Sequence, residues 1–145
     1  VYSLTGCGLR EFFFIDIYLL GMYRPTTSSG ISDLVRADTG KIFLLEVLYD
    51  GNMPEDLPNL WREPLAEQIS AETLKILQEY YDAVKYGDRV QFAYLPSLGE
   101  EVRINDVPVI RDQDRELLPA LIDLWLGDDP VSGNLKRLLL NGNCS

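Results

Sequence analysis

The chain has 145 residues, with 23 acidic against 13 basic side chains, a formal net charge of −10 and no histidine. Its 46% hydrophobic and 25% charged content is that of one folded domain, not of a disordered segment. The negative field disfavours nucleic acid and anionic membrane surfaces as partners. The missing imidazole excludes Ser-His-Asp and Cys-His nucleophile systems and histidine-ligated zinc. Chemistry must rest on Arg, Lys, Tyr, carboxylates, hydroxyls, Cys or a bound ligand. The two cysteines, Cys7 and Cys144, are too few and too far apart for a structural zinc site. A disulfide between them is an option in an oxidising compartment. No apolar stretch reaches the ~20 residues of a membrane-spanning helix, and the longest, Phe12 to Tyr23, is broken by Asp16. The sequence opens on Val1 and shows no signal peptide; a removed export segment and a shortened sequence would look alike, so the expectation is a periplasmic or otherwise exported protein if a signal peptide was removed, and a cytoplasmic one in the alternative.

In chain order, Tyr2 to Thr5 reads as a short strand, followed by a turn at Gly6-Cys7-Gly8. Leu9 to Tyr23, rich in aromatic and aliphatic residues, is either one long bent strand or a tight hairpin. Ile31 to Ala37 has the make-up of a short helix. Lys41 to Tyr49 is the strongest strand signal and is apolar on both parities apart from Glu46, so both faces are expected to be covered. Asp50-Gly51-Asn52 ends it, and Pro58 and Pro64 interrupt the helical spacing of Glu55 to Gln68. Ser70 to Tyr86 is an amphipathic helix, capped by Ser70 and striped by Leu74, Leu77, Tyr80, Tyr81 and Val84. The spacing makes Tyr80 and Tyr81 packing residues.

Arg89 to Leu95 alternates, and a turn at Pro96 to Gly99 leads to a partner strand carrying Val102 and Ile104. Asn105-Asp106 turns the chain into a short Val107–Ile110 strand. Asp112 or Asp114 starts a helix running to Trp125, and Asp129-Pro130 starts a last one with Leu135, Leu138 and Leu139 inward. The order is strands, helix, strands, helices, without βαβ alternation. The expected class is therefore α+β, a single domain over residues 1–145 with an antiparallel sheet and a layer of helices on one face.

Two sets of residues carry a family likeness. Leu4-Thr-Gly-Cys-Gly-Leu-Arg10, then Phe12-Phe-Phe and Ile17-Tyr18-Leu-Leu-Gly-Met-Tyr23, resembles the start of the chalcone isomerase-like family. Gly87-Asp-Arg-Val-Gln-Phe-Ala-Tyr94-Leu-Pro96, Val102-Arg-Ile-Asn105 and Leu124-Trp-Leu-Gly127-Asp-Asp-Pro-Val131-Ser132, ending at Leu135-Lys136, resembles its bacterial branch. Asp16, Asp106 and Pro119 depart from the family pattern. The resemblance implies an antiparallel sheet with a cleft beneath its helices. It also implies a function in one of two directions: cyclising a chalcone-type enone-phenol, with an arginine polarising the substrate, or gripping a fatty acid carboxylate with the same arginine and a tyrosine.

The candidate site follows. Arg10 is a permanent cation with five donors, suited to a carboxylate, phenolate or enolate; it would be catalytic only in an isomerase. Tyr18 can assist it only if the chain turns near Glu11–Phe13, because eight residues of straight strand span ~26 Å. Tyr94 is a further candidate ligand contact, and Arg103 a weaker one. Asp16 and Glu46 are the acids that could neutralise Arg10 from within. The leading expectation is a domain binding a small hydrophobic molecule with an anionic or polar end, a fatty acid or a phenolic, without metal or cofactor. The alternatives are an intramolecular lyase and a structural or interaction protein whose cleft is closed by its own side chains. The sequence leaves the oligomeric state open.

Overall fold

A computed structural model describes residues 2–12, 15–25, 40–49, 63–112 and 117–141. The six strands are β1 (Tyr2–Phe12), β2 (Ile15–Pro25), β3 (Lys41–Val47), β4 (Arg89–Leu95), β5 (Gly99–Ile104) and β6 (Val107–Asp112). They form one sheet in chain order, each antiparallel to its neighbour. The helices are α1 (Ala71–Ala83), α2 (Leu117–Leu126) and α3 (Gly133–Asn141). All three pack on one face of the sheet, so the expected α+β class holds.

That face is built from rows running across the strands, because directly opposed residues of antiparallel neighbours share a side. One row is Gly8, Leu20, Leu45, Val90 and Ile104; the next is Gly6, Met22, Phe43, Phe92, Val102 and Ile110. Trp125 of α2 lies over the second row, with ring centroids 5.2 Å from Phe43 and 5.8 Å from Phe92. On the opposite face Glu101 pairs with Arg103 and, at 3.1 Å, with Arg111. The Arg103 hydrogen bond, ahead of the other charge interactions, holds the Glu101 carboxyl below the usual range.

Several expectations change. The Gly6-Cys7-Gly8 segment is not a turn but lies inside β1, with a register shift between Leu4 and Gly6. Its glycines serve close approach: a Cβ on Gly6 would sit 2.2 Å from the Leu139 carbonyl oxygen, and one on Gly8 2.7 Å from Leu135 Cδ1. Both neighbours belong to α3, so the missing side chains let a helix rest on the strand. Leu9 to Tyr23 resolves as a hairpin. β3 is not equally covered on both faces, since its residues alternate between buried and half-buried.

The Ser70 cap is as expected, and the other helix starts differ from expectation. Ser70 caps α1 by accepting the Thr73 N–H, and Gly87 beyond it has φ +88°. α2 takes its N-terminal partner from β5: the buried Glu100 carboxylate accepts the N–H of Leu117 at 2.9 Å and of Leu118 at 2.6 Å. Pro119 fits because it stands in the first turn, where its missing N–H has no helical acceptor. α3 starts after Ser132, not Asp129: the Ser132 hydroxyl accepts the Leu135 N–H at 3.1 Å. The Val131 N–H is already committed to the Leu124 carbonyl at 2.8 Å. The Asn105-Asp106 turn has positive φ at both residues, 50° and 70°, the geometry of a tight hairpin turn. The Ile31–Ala37 helix, the Asp50–Asn52 turn, the Pro58 segment, the Asp114 cap and Cys144 lie outside the described residues. Cys7 is held in a disulfide.

Candidate functional site

Arg10 and Tyr18 are direct partners across the β1–β2 hairpin, and Tyr18 is in turn opposite Val47 of β3. The row Arg10, Tyr18, Val47 is the next one beyond Gly8, Leu20 and Leu45, on the helix-covered face. The antiparallel pairing of the two strands thus supplies what a straight strand could not. Opposed Cα atoms in such a ladder are ~4.5–5.5 Å apart. Both side chains are deeply buried, Arg10 at 7% exposure and Tyr18 at 2%. Arg10 Nη1 donates to the Glu11 carbonyl at 2.5 Å. That carbonyl lies at the register shift between Arg10 and Glu11.

The two suspected internal acids are placed elsewhere. Asp16 is exposed and opposite Glu11. Glu46 is half-buried on the other face of the sheet, between Leu19 and Arg89. Among the described residues, neither forms an ion pair with Arg10.

Beside this row lies an apolar cavity between the sheet and α1. Its walls include Tyr18, Leu45, Val47, Val90, Phe92, Val102, Ile104 and Ile110 from the sheet, and Leu77, Tyr80, Tyr81 and Val84 from α1 and its end. The surface it presents is almost wholly hydrocarbon. The space in which the centre of a water molecule could sit is about 70 Å³. Tyr18 stands in the wall, with Arg10 immediately behind it on the neighbouring strand. Arg103, on the outer face, and Tyr94 are not part of the wall. Tyr94 shares the inner face but is opposite Lys41 and Glu100. Six positions along β3 put it ~20 Å from the Tyr18 row. There the Lys41 ammonium lies 5.5 Å from the Tyr94 ring centroid, a cation–π contact.

Electrostatics tie three residues together. Burial pushes the Tyr18 hydroxyl up to about 12, against the smaller opposing effects of the Trp125 hydrogen bond and the Arg10 charge. Burial also pushes the Tyr81 hydroxyl up strongly; Tyr18 and Asp82 add to the rise and Arg10 opposes it. Both phenols are therefore neutral at ordinary pH and placed within the field of Arg10. Tyr81 is the residue that sequence reasoning passed over. Its helical spacing is identical for a core residue and for a cavity wall, and only the position of α1 over β2–β5 separates the two.

This arrangement offers a buried cation, two neutral phenols and a hydrocarbon wall. It suits a molecule with one anionic end and an apolar body. Among the described residues, no group of three or more Cys, Asp or Glu side chains is placed to hold a metal ion.

Comparison with known proteins agrees with the fold. The model of the chalcone isomerase-like family matches residues 1–141. Among solved structures, the fatty-acid binding protein AtFAP1 of Arabidopsis thaliana superposes with a TM-score of 0.65. The match covers 97% of this chain and 87% of that one, at 18% sequence identity. At that identity the likeness is one of fold. No curated protein matches.

Proposed function

We propose that this chain, which belongs to the chalcone isomerase-like family, is a single-domain binding protein for a small hydrophobic molecule with an anionic end. The observation that carries this reading is the pairing of Arg10 with Tyr18 at the wall of an apolar cavity. The guanidinium would meet the anion, with Tyr18 and Tyr81 as neutral hydrogen-bonding neighbours, and the apolar body would lie over Val47 and Leu77. A solved structure of the same fold that is a fatty-acid binding protein supports the choice of a carboxylate over other anions. The cyclising-enzyme reading is the weaker one, because the cavity is small for the two aryl rings of a chalcone. A cleft closed by its own side chains would leave no such space at all. We keep within the proposal a place in the bacterial branch of the family, which rests on the Gly87–Pro96 and Leu124–Lys136 motifs.

Thermal-shift and native mass spectrometry titrations with fatty acids and phenolic acids test the proposal, using the native chain, Arg10→Gln and Tyr18→Phe. Binding to the native chain that falls at least tenfold in a folded Arg10→Gln is the expected result. No binding, or equal binding by Arg10→Gln and the native chain, overturns it.

We also propose that the protein works in an oxidising compartment, the periplasm or another exported location. A disulfide at Cys7 persists in such compartments and is reduced in the cytosol of most cells. Alkylation of cell fractions before and after reduction tests this. Thiols that react without reductant would place the protein in the cytoplasm.

A further inference from the structure

We infer that α1 is a hinged lid: it swings off the sheet as one body between fixed ends at Ile69 and Gly87, and the cavity beneath it admits a molecule larger than water only when it does. This rests on the binding function proposed above and adds an opening step to it.

Size requires the step. With α1 in place the cavity measures about 70 Å³. An apolar cavity that takes up benzene measures ~150 Å³, and sites for larger organic ligands run to ~300–1,000 Å³. The space for an apolar body must therefore come from a wall that moves. The sheet is not that wall: Leu45, Val90, Phe92 and Val102 are buried and belong to continuous antiparallel ladders.

The helical wall is held lightly. Of the 13 residues of α1 none is fully buried, against seven in α2. α2 brings its backbone close to β4, and α3 close to β1; α1 approaches no described element to the same extent. It meets the sheet through half-buried side chains such as Leu77, Tyr81 and Val84. A segment with so little buried surface opens at a fraction of the free energy of global unfolding.

Both ends of α1 are anchored. Before it, Leu65 and Ile69 are buried, and the Ile69 N–H donates to the Leu65 carbonyl at 2.9 Å. After it, the Gly87 N–H donates to the Val47 carbonyl and the Val47 N–H to the Asp88 carbonyl, each at 2.9 Å. Between anchors and helix stand single extended residues, Ser70 with ψ 152° and Val84 with ψ 150°. Gly87 adds a positive φ of 88°, which glycine adopts without strain. Rotation at these few positions carries the helix outward while the sheet stays intact. The movement needed is small. A helix of 13 residues is a rod ~20 Å long and ~10 Å wide, so ~1–2 Å of lift adds ~200–400 Å³, enough to reach the range of ligand sites.

The test is thiol reactivity in the full chain, with the native chain as background. Leu45→Cys puts a thiol on the sheet wall beneath α1, and Leu121→Cys puts one in the buried face of α2. Val90→Cys, on the next strand of the same wall, replaces Leu45→Cys if that variant does not fold. N-Ethylmaleimide should modify the Leu45→Cys thiol at least tenfold faster than that of Leu121→Cys, with little dependence on urea below the unfolding midpoint. Adding Gly8→Ala should speed only Leu121→Cys, because the β1–α3 contact survives the opening of α1. Octanoate should slow Leu45→Cys. Equal rates with equal urea dependence mean that the cavity opens only when the chain unfolds, and overturn the lid. Acceleration of both thiols by Gly8→Ala does the same. A fast Leu45→Cys thiol that octanoate does not slow supports the lid and overturns the binding function; equal rates that octanoate slows support the function and overturn the lid.

Discussion

Trp125 donates its indole N–H to the Tyr18 hydroxyl oxygen at 3.2 Å, joining α2 to β2 across 107 positions of chain. Both groups are buried, so the bond orients a residue of the candidate site through the core. Tyr18→Phe removes the acceptor and leaves the indole N–H without it, at a cost of about 1–3 kcal/mol. Trp125→Ala also empties the space over Phe43 and Phe92 and should cost about 3–5 kcal/mol. Urea unfolding of the two variants measures the difference, and Trp125→Ala is expected to be the more damaging.

Alkaline pH should unfold the protein in a defined window. Tyr18 ionises at about 12 in the folded chain and near its ordinary ~10 when unfolded. Below pH 10 both states hold the proton and stability is unaffected. Between about pH 10 and 12 only the unfolded state releases it, so stability falls with rising pH. Two pKa units correspond to roughly 2–3 kcal/mol. Denaturant midpoints measured from pH 9 to 12 should decline in the native chain and decline less in Tyr18→Phe.

Gly6→Ala and Gly8→Ala should both destabilise, in that order of severity. At Gly6 the new methyl meets a backbone carbonyl of α3, which can yield only if the helix moves. At Gly8 it meets the end of the Leu135 side chain, which has other rotamers. Overpacking costs about 1–3 kcal/mol, and each kcal/mol lowers the melting temperature by about 2–4 °C in a chain of this size. Thermal melts followed by circular dichroism check both the size and the order.

Glu100→Ala should rank with core mutations, although it removes a charged residue. It leaves the Leu117 and Leu118 N–H groups buried without their acceptor, at about 1–3 kcal/mol apiece. Glu100→Gln retains one acceptor oxygen and should lose roughly half as much. Chemical denaturation of the pair gives the ratio; equal losses would mean that the charge, not the acceptor count, is what α2 requires.

Hydrogen exchange should find α1 the least protected of the three helices. None of its residues is fully buried, whereas seven residues of α2 and two of α3 are. A ligand seated against Leu77 and Tyr81 adds contacts to this helix and should slow its exchange more than that of α2 or α3. Mass-spectrometric exchange with and without octanoate reads this directly.

Much of the fold is legible in the sequence because its signals are local. β4 and β5 show in the alternation around Val90, Phe92, Tyr94 and Val102, and Ser70 announces α1. The larger misreadings come from partners remote in the chain. Gly6 and Gly8 look like a turn because nothing near them shows that Leu135 and Leu139 will lie on top. Leu117 and Leu118 find their acceptor in Glu100, in a strand two elements back, and the periodicity of α2 carries no trace of it. The site is half legible for the same reason. Arg10 stands out as a cation beside an aromatic strand, yet its partnership with Tyr18 depends on a register that only the hairpin sets. Tyr94 looks equivalent to Tyr18 by alternation but is separated from it by the length of a strand.

The neighbour-to-neighbour strand order has a consequence for biosynthesis. Every strand pairing can form as soon as the next strand leaves the ribosome, and such short-range pairing favours rapid folding. The packing of α3 on β1 is the opposite case, since it joins the first strand to the last helix described. Until that helix is made, the strip of β1 around Gly6 and Gly8 is an open groove at the edge of a nascent sheet. Among the described elements this packing is thus the last to become possible during synthesis, and a chain stalled before α3 would present that groove to chaperones or to another copy of itself.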